Sequence, residues 1–299
     1  MKTIKLLSLL VVAIAASFTS CKNEEPLPPI GGYNTADEVA SANLIAYWGL
    51  NGNGVEAKSS TNPSSSTNVT WVDGVKGKAA KMNAGFLKYP SIASLTTVNG
   101  SITISCWAKI SNTKIVAGGV STISPIFTLT GGPNTGIGNL SLFGNTHELT
   151  TSDSIQLKAE YHFKMPDGTS SFNGDCVNVI KQESWMDATH TWNANKIGGK
   201  WAHIVWVWDG ATANTRIYVN GVKISNSAWE SRNNNVAMPF ALFTPSYPVI
   251  GATWSVAEGT NSDAWNAALK GEVDEIRVYN KLLPTADIGA LYELEKAGR

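Results

Sequence analysis

Three carboxylates crowd four positions near the C-terminus: Glu272, Asp274 and Glu275, beside the apolar Val273, Ile276 and Val278. A carboxylate next to apolar residues must be paired, hydrogen-bonded or bound to a cation, because burying it bare is costly. On a strand, Glu272 and Asp274 point the same way, so they could act as an acid pair, hold a metal or line a polar face. Tryptophan carries a second chemistry. The chain has eleven, and Trp185, Trp192, Trp229, Trp254 and Trp265 stand in surroundings rich in Asn, Ser, Gly and Pro. A flat indole matches the apolar C–H face of a sugar ring. Nearby Asn233, Asn234, Asn235, Asn261 and Asp263 can take its hydroxyls. These five Trp are the expected ligand-binding residues, the alternative being that they cap the ends of the fold. Trp48, Trp107, Trp201, Trp206 and Trp208 fall in strand patterns and are expected to pack. His203 alternates with Trp201 and Val205, as a structural histidine would. His147, His162 and His190 lack the spacing of a metal-binding helix, and no serine sits in a nucleophile elbow.

The elements that must position these residues begin after an export signal. Lys2 and Lys5 stand at the start of an apolar run from Ile4 to Phe18, too short to span a bilayer, and Phe18-Thr19-Ser20-Cys21 follows. Small residues before a cysteine resemble a lipobox, so residues 1–20 are the expected lipoprotein signal peptide and Cys21 the lipidation site. Lys22-Asn23-Glu24-Glu25 resembles the acidic tag of surface-exposed lipoproteins. The expected location is therefore the outer membrane, anchored by lipid and facing outward. Residues 21–43, with Pro26, Pro28, Pro29, Gly31 and Gly32, are the expected flexible tether. The whole chain has no net formal charge, and losing Lys2 and Lys5 leaves it slightly acidic. Nucleic acid, which needs a basic footprint, is not an expected partner.

From Leu44 onward short β-rich runs alternate with turn residues. SITISCWAKI (101–110) alternates strictly, with Ile102, Ile104, Cys106, Ala108 and Ile110 on one face. TRIYVNGVKIS (215–225) reads as a hairpin around Asn220-Gly221. WAHIVWVW (201–208) is apolar on both faces, as a strand between two layers would be. Thr285 is placed to cap a short terminal helix whose inward face is Ile288, Leu291 and Tyr292. Residues 131–199 read as a long, less regular insertion in one domain spanning 44–299.

LIAYWGLNGNG (44–54), VDGVKGKAAKMN (72–83), SITISCWAKI (101–110), KWAHIVWVWDGATANTRIYVNGVKI (200–224), VIGAT (249–253) and GEVDEIRVYNKLLPTADIGALY (271–292) occur in this order. Together they resemble the laminin-G-like, concanavalin A-like jelly-roll domain of secreted bacterial proteins. The resemblance implies an all-β sandwich of two packed antiparallel sheets, one of them curved and often bearing a ligand site. Some glycosidases of this fold carry Glu-x-Asp-x-Glu, or the same with one more residue, on one strand. Here Glu272-Val273-Asp274-Glu275 is followed by Ile276 and Arg277, so the last Glu is missing and no catalytic residue is expected on this strand. The resemblance also implies a structural calcium between an acid of the last strand, Asp274, and the turn after the first strand, at Asn51. Asn51 offers an oxygen but no charge. The competing reading has Asp274 accepting backbone N–H groups or pairing with Arg277.

The function these residues lead us to expect is non-catalytic polysaccharide binding by a surface-anchored lipoprotein. One alternative is a glycoside hydrolase or lyase drawing an acid pair from Glu148, Asp153, Glu160, Asp167, Asp175, Glu183 and Asp187. Another is a protein-binding adhesion module.

Overall fold

The computed structural model describes residues 27–113, 120–145 and 153–299. The expected signal segment 1–20, Cys21, the first residues of the tether, His147 and Glu148 lie outside them. In chain order, the first half contains strands β1 (Leu44–Trp48), β2 (Ser65–Asp73), β3 (Lys78–Lys88), β4 (Asn99–Gly100), β5 (Ile102–Lys109) and β6 (Ser124–Leu129), with a short helix α1 (Ala93–Thr96) before β4. Then follow β7 (Leu140–Asn145), β8 (Gln156–Lys164), β9 (Ser171–Val177), β10 (Ala202–Asp209), β11 (Asn214–Val219) and β12 (Val222–Lys223). Last come β13 (Phe240–Ala241), β14 (Pro248–Ile250), helix α2 (Trp254–Glu258), β15 (Leu269–Tyr279) and helix α3 (Thr285–Lys296).

The main sheet runs β12-β11-β10-β5-β15-β3-β14-β6-β7-β8-β9, with β1 added to β15 and β2 to β3. The two layers of the sandwich are joined at a corner. β3 pairs with β15 through Ala80–Gly85 and with β14 through Leu87 and Lys88, so one long strand passes from layer to layer. Between the layers lies one core. Ile102, Ile104, Cys106 and Ala108 of β5 meet Leu157, Ala159, Tyr161 and Phe163 of β8, all of them buried. The strict alternation of β5 is what makes this possible, because period-two side chains place one face of a strand on the core. Cys106 and Cys176 are both buried free thiols. The Asn220-Gly221 turn has φ of 50° and 79°, as a hairpin with two left-handed positions requires.

β10 is covered on both sides. Ala202, Ile204, Trp206 and Trp208 enter the main core, while Val205 and Val207 join a second cluster with Ile288, Leu291 and Leu294 of α3. The C-terminal helix is therefore a lid on the outer face of β10, β5 and β15. Thr285 does not cap it. Pro284 holds the extended N-cap backbone and Thr285 is the first helical residue, its hydroxyl 3.4 Å from that of Tyr218.

Two boundaries differ from expectation. The later part of the tether is docked: Ala36 and Val39 are fully buried against the α3 cluster, and Tyr33 donates to Asp287. These few apolar side chains, spaced among Pro and Gly, are enough to hold the segment down once a helix offers a matching face. The stretch 131–199 is also more than an insertion. It supplies β7, β8 and β9, and the chain leaves regular structure mainly over 178–199. Among the described residues no helix is long and apolar enough to cross a membrane.

Candidate functional site

The aromatic loops are built from two separate segments of the chain. Asp187 accepts from the Thr189 backbone N–H (2.8 Å), its hydroxyl (2.6 Å) and His190 Nδ1 (2.9 Å), which folds residues 187–190 into a tight turn. The Thr189 bonds hold the Asp187 carboxyl down at about 2. Opposite it, Asn226 caps the short helical turn Ser227–Trp229 by accepting from the Ala228 N–H. Polar pins then join the two. Ser227 Oγ donates to the Thr189 carbonyl (2.6 Å), the Ser227 N–H to Thr191 Oγ1 (3.0 Å), and the Thr191 N–H to Asn226 Oδ1 (3.1 Å).

The result is a stack. Trp185 and Trp229 lie 5.8 Å apart between centroids with 11° between their planes. His190 meets both edge-on, at 5.2 Å and 6.0 Å. Trp185 is 53% exposed while Trp229 is half-buried. Trp229 and His190 therefore hold the Trp185 ring in one orientation with much of its surface in water. Exposed Gln182 and Ser184 precede it in sequence.

The other three expected Trp are not joined to this stack. Trp192 is 51% exposed and sits where its backbone bridges to Val179. Trp265 is 43% exposed in the 263–266 turn, and Trp254 is half-buried at the start of α2. Among the described residues no ring contact connects Trp192, Trp254 or Trp265 to the stack or to one another. Most of the amides expected to meet hydroxyls serve the loops instead. Asn261 Nδ2 donates to the Asp263 and Asn266 carbonyls. Asn233, Asn234 and Asn235 have φ of 46°, 50° and 61°, a left-handed run that asparagine tolerates better than most residues. Asn235 Oδ1 accepts from Asn214 and Ser231.

The C-terminal acids are committed to structure. A bulge between Asp274 and Arg277 puts Glu275 at φ 47° and shifts the alternation by one residue. Glu275 therefore leaves the Val273 face, and Arg277 is carried under α3. There Arg277, fully buried, donates through Nε to Glu295 (2.7 Å) and through Nη2 to Glu275 (3.0 Å), and Nη2 pairs with Asp37 (2.8 Å). Tyr47 lays its ring 4.2 Å from the guanidinium and donates to Glu275 (2.9 Å). Trp107 Nε1 donates to the other oxygen of Glu295 at 2.8 Å.

This network contains a serine, a histidine and a glutamate that the sequence spacing did not connect. Ser105 Oγ lies 2.7 Å from His203 Nε2, and Glu295 Oε2 lies 3.6 Å from the same nitrogen. A hydrolytic triad needs the acid on the opposite ring nitrogen. Here Nδ1 has no partner among the described residues, and all three side chains are fully buried where α3 packs on β5 and β10. They form a packing network, with no route for a substrate. Register could have revealed the first pair: residues 105 and 203 lie on neighbouring strands of one alternating face.

Asn51 and Asp274 approach one turn from two sides. Asn51 Oδ1 accepts from the Lys78 N–H (3.0 Å), and Asp274 Oδ2 from those of Val75 (2.8 Å) and Lys76 (3.2 Å). As arranged they clamp the β2–β3 turn, and a cation there would compete with these N–H donors. Among the described residues no group of three or more His, Cys, Asp or Glu side chains could hold a metal.

Burial sets two opposed pH responses. It pushes Asp274 up to about 7 and His203 down to about 3. Asp274 in the folded state keeps a proton that the unfolded chain has lost, so this residue makes stability fall as pH rises from about 4 to 7. His203 in the folded state lacks a proton that the unfolded chain holds, so it makes stability rise from about pH 3 to 6.5. Each slope is about 1.4 kcal/mol per pH unit. Burial also pushes Glu295 up to about 7, which adds a second falling slope, so about one falling slope is left over where the three overlap. Urea titrations between pH 4.5 and 6 should therefore give a wild-type stability that falls as pH rises. His203→Gln should steepen that fall, and Asp274→Asn should flatten it. Parallel profiles for all three proteins would contradict both assignments.

The carboxylates of the 153–187 region show no free acid pair. Glu160 and Asp175 face each other across β8 and β9, but Lys158 bridges them at 3.2 Å and 3.1 Å. Asp167 accepts from the N–H groups of Thr169 and Ser170 and from the Ser170 hydroxyl, Asp153 pairs with Lys196, and Glu183 with Lys181.

Comparison with known proteins bears on the fold. A family model described as "Concanavalin A-like lectin/glucanases superfamily" matches residues 81–289. No curated protein sequence gives a significant match. Among solved structures, domain 4 of an extracellular GH43 arabinanase from Geobacillus stearothermophilus, in complex with arabinotriose, is 17% identical, with a TM-score of 0.49 over 83% of this chain and 98% of that one. The botulinum neurotoxin serotype C1 binding domain is 14% identical, with a TM-score of 0.52 over 85% of this chain and 52% of that one. A Trypanosoma rangeli sialidase is 15% identical with a TM-score of 0.49, and this chain spans only 33% of it. The toxin likeness shows a shared fold and carries no ligand with it.

Proposed function

This chain belongs to the concanavalin A-like lectin/glucanases superfamily, and on that premise we propose that it binds polysaccharide through Trp185 without cleaving it. The observation that carries this reading is the stack itself: an exposed indole held in place by Trp229 and His190 on pinned loops. An ordered ring loses little freedom when a sugar settles on it, which favours affinity. The committed carboxylates support binding rather than hydrolysis, since a glycosidase needs one carboxyl to donate a proton and another to attack or activate water.

Retention in affinity gels cast with a panel of polysaccharides tests the reading, together with an assay for new reducing ends. The wild type should be slowed by at least one polysaccharide and release no sugar from it. Trp265→Ala should behave as wild type, because that ring is outside the stack. Free migration in every gel, or release of sugar, would overturn the proposal.

The anchor is proposed on the sequence alone: lipid on Cys21 would tether the protein to the outer membrane, facing outward. Labelled palmitate carried by the wild type and not by Cys21→Ala checks it. Calcium at Asn51 and Asp274 likewise stays a proposal. If it binds, millimolar calcium should raise the Tm of the wild type and leave Asp274→Asn unmoved. Equal curves with and without calcium would leave both side chains as turn clamps only.

A further inference from the structure

A different face of the sheet carries a cleft of about 620 Å³ over β2, β3, β15 and β5. It opens on the outer face, where Lys109 follows Trp107 by one alternation along β5. Trp107 is covered by Tyr292 of α3, with ring centroids 5.7 Å apart; Lys109 lines the cleft. The register builds its floor. Thr70 is opposite Lys81, Lys81 opposite Glu272, and Glu272 opposite Lys109, a single row across four strands. In the next row Asn83 is opposite Lys270. Directly opposed residues hold their Cβ atoms only about 5 Å apart, so three ammonium groups and one carboxylate share a small area.

Those charges do not cancel. Lys109 pairs with Glu272 at 3.2 Å. Lys81 and Lys270 are exposed, and among the described residues neither has a carboxylate within ion-pair distance. Two unpaired lysines in one cleft repel each other unless an anion joins them. Thr70 and Asn83 alternate with them and offer a hydroxyl and an amide. Ammonium groups interleaved with neutral hydrogen-bonding side chains match a chain carrying both anionic groups and ring hydroxyls. The chain as a whole has no net formal charge, so the broad basic field that nucleic acid requires is missing.

We propose that this cleft is a second saccharide site, selective for acidic polysaccharide, in which Lys81 and Lys270 pair with carboxylate or sulfate groups and Asn83 and Thr70 with hydroxyls. The site is independent of Trp185.

Calorimetric titration with oligogalacturonate, dextran sulfate oligosaccharides, neutral dextran oligosaccharides and polyglutamate tests it. The wild type should bind one or both acidic saccharides, more weakly as NaCl is raised. Binding of the uronate alone assigns carboxylate, and binding of the sulfate ester alone assigns sulfate. Lys81→Gln/Lys270→Gln should bind about tenfold more weakly, the effect of losing two partly exposed ion pairs. Trp185→Ala should bind the acidic saccharide as the wild type does, so failure here and failure of the Trp185 reading are told apart. Asn83→Ala, which leaves every charge in place, should weaken binding by a smaller factor. Equal Tm values would establish that the variants fold. No binding of either acidic saccharide, undiminished binding by the double variant, equal binding of neutral dextran, or equally tight binding of polyglutamate would overturn the proposal.

Discussion

Glu295→Ala should destabilise the fold by about 3–5 kcal/mol, the usual cost of removing one partner from a buried ion pair. The size follows from what would be left behind. Arg277 is fully buried and gives its Nε hydrogen to Glu295 at 2.7 Å, while Trp107 gives its indole hydrogen to the other oxygen at 2.8 Å. Alanine would strand both donors in a space closed to water, with a guanidinium that stays charged. Glu275 and Asp37 would still hold Nη2, which keeps the loss from being larger. The damage should spread to the N-terminal segment, because Asp37, Ala36 and Val39 dock on the same helix and arginine. Urea unfolding of the wild type and variant measures the difference. A loss under about 1 kcal/mol would mean that α3 and the residues around 36–39 are not part of the cooperative unit.

Trp185→Ala should weaken binding of a neutral polysaccharide by about thirtyfold or more, the scale of a well-packed aromatic anchor worth at least about 2 kcal/mol. Trp229→Ala should cost less, about two- to tenfold. It removes the ring that backs Trp185, and aromatic pairs are worth about 0.5–1.5 kcal/mol beyond their buried area. The order matters more than either value. If Trp185 is the landing surface and Trp229 its support, truncating the support frees the ring but leaves it present. Equal losses would place both rings in direct contact with sugar. A larger loss at Trp229 would reverse their roles.

Much of this was legible in the sequence because period-two alternation is a strong signal where one face is buried. The β5 residues 102–108 and the Asn220-Gly221 hairpin follow it directly. The same signal was present in Gln156–Lys164, where Leu157, Ala159, Tyr161 and Phe163 alternate with polar residues. It was obscured by the turn-rich segments on either side, so the region read as an insertion. The bulge at Glu275 was not legible. One extra residue shifts every later side chain to the other face, and nothing in Asp274-Glu275-Ile276 marks where the ladder slips. The docking of residues 30–43 was hidden for another reason: its apolar residues are few, and their partner is a helix some 250 positions away. For the tryptophans, composition identified surroundings but not partners. Trp185 and Trp229 meet through Thr189, Thr191, Ser227 and Asn226, ordinary polar residues whose pairing depends on where β9 and β12 bring the two loops. The lysine row of the cleft was likewise invisible until register placed Lys81, Glu272 and Lys109 side by side.

Titration calorimetry of the wild type and Trp185→Ala, against a neutral polysaccharide that retards the protein in gels, tests the central claim most directly. The account predicts saturable binding by the wild type and a dissociation constant about thirtyfold or more weaker for the variant, at unchanged Tm. Equal affinities for the two proteins would show that the exposed indole is not where the sugar lands.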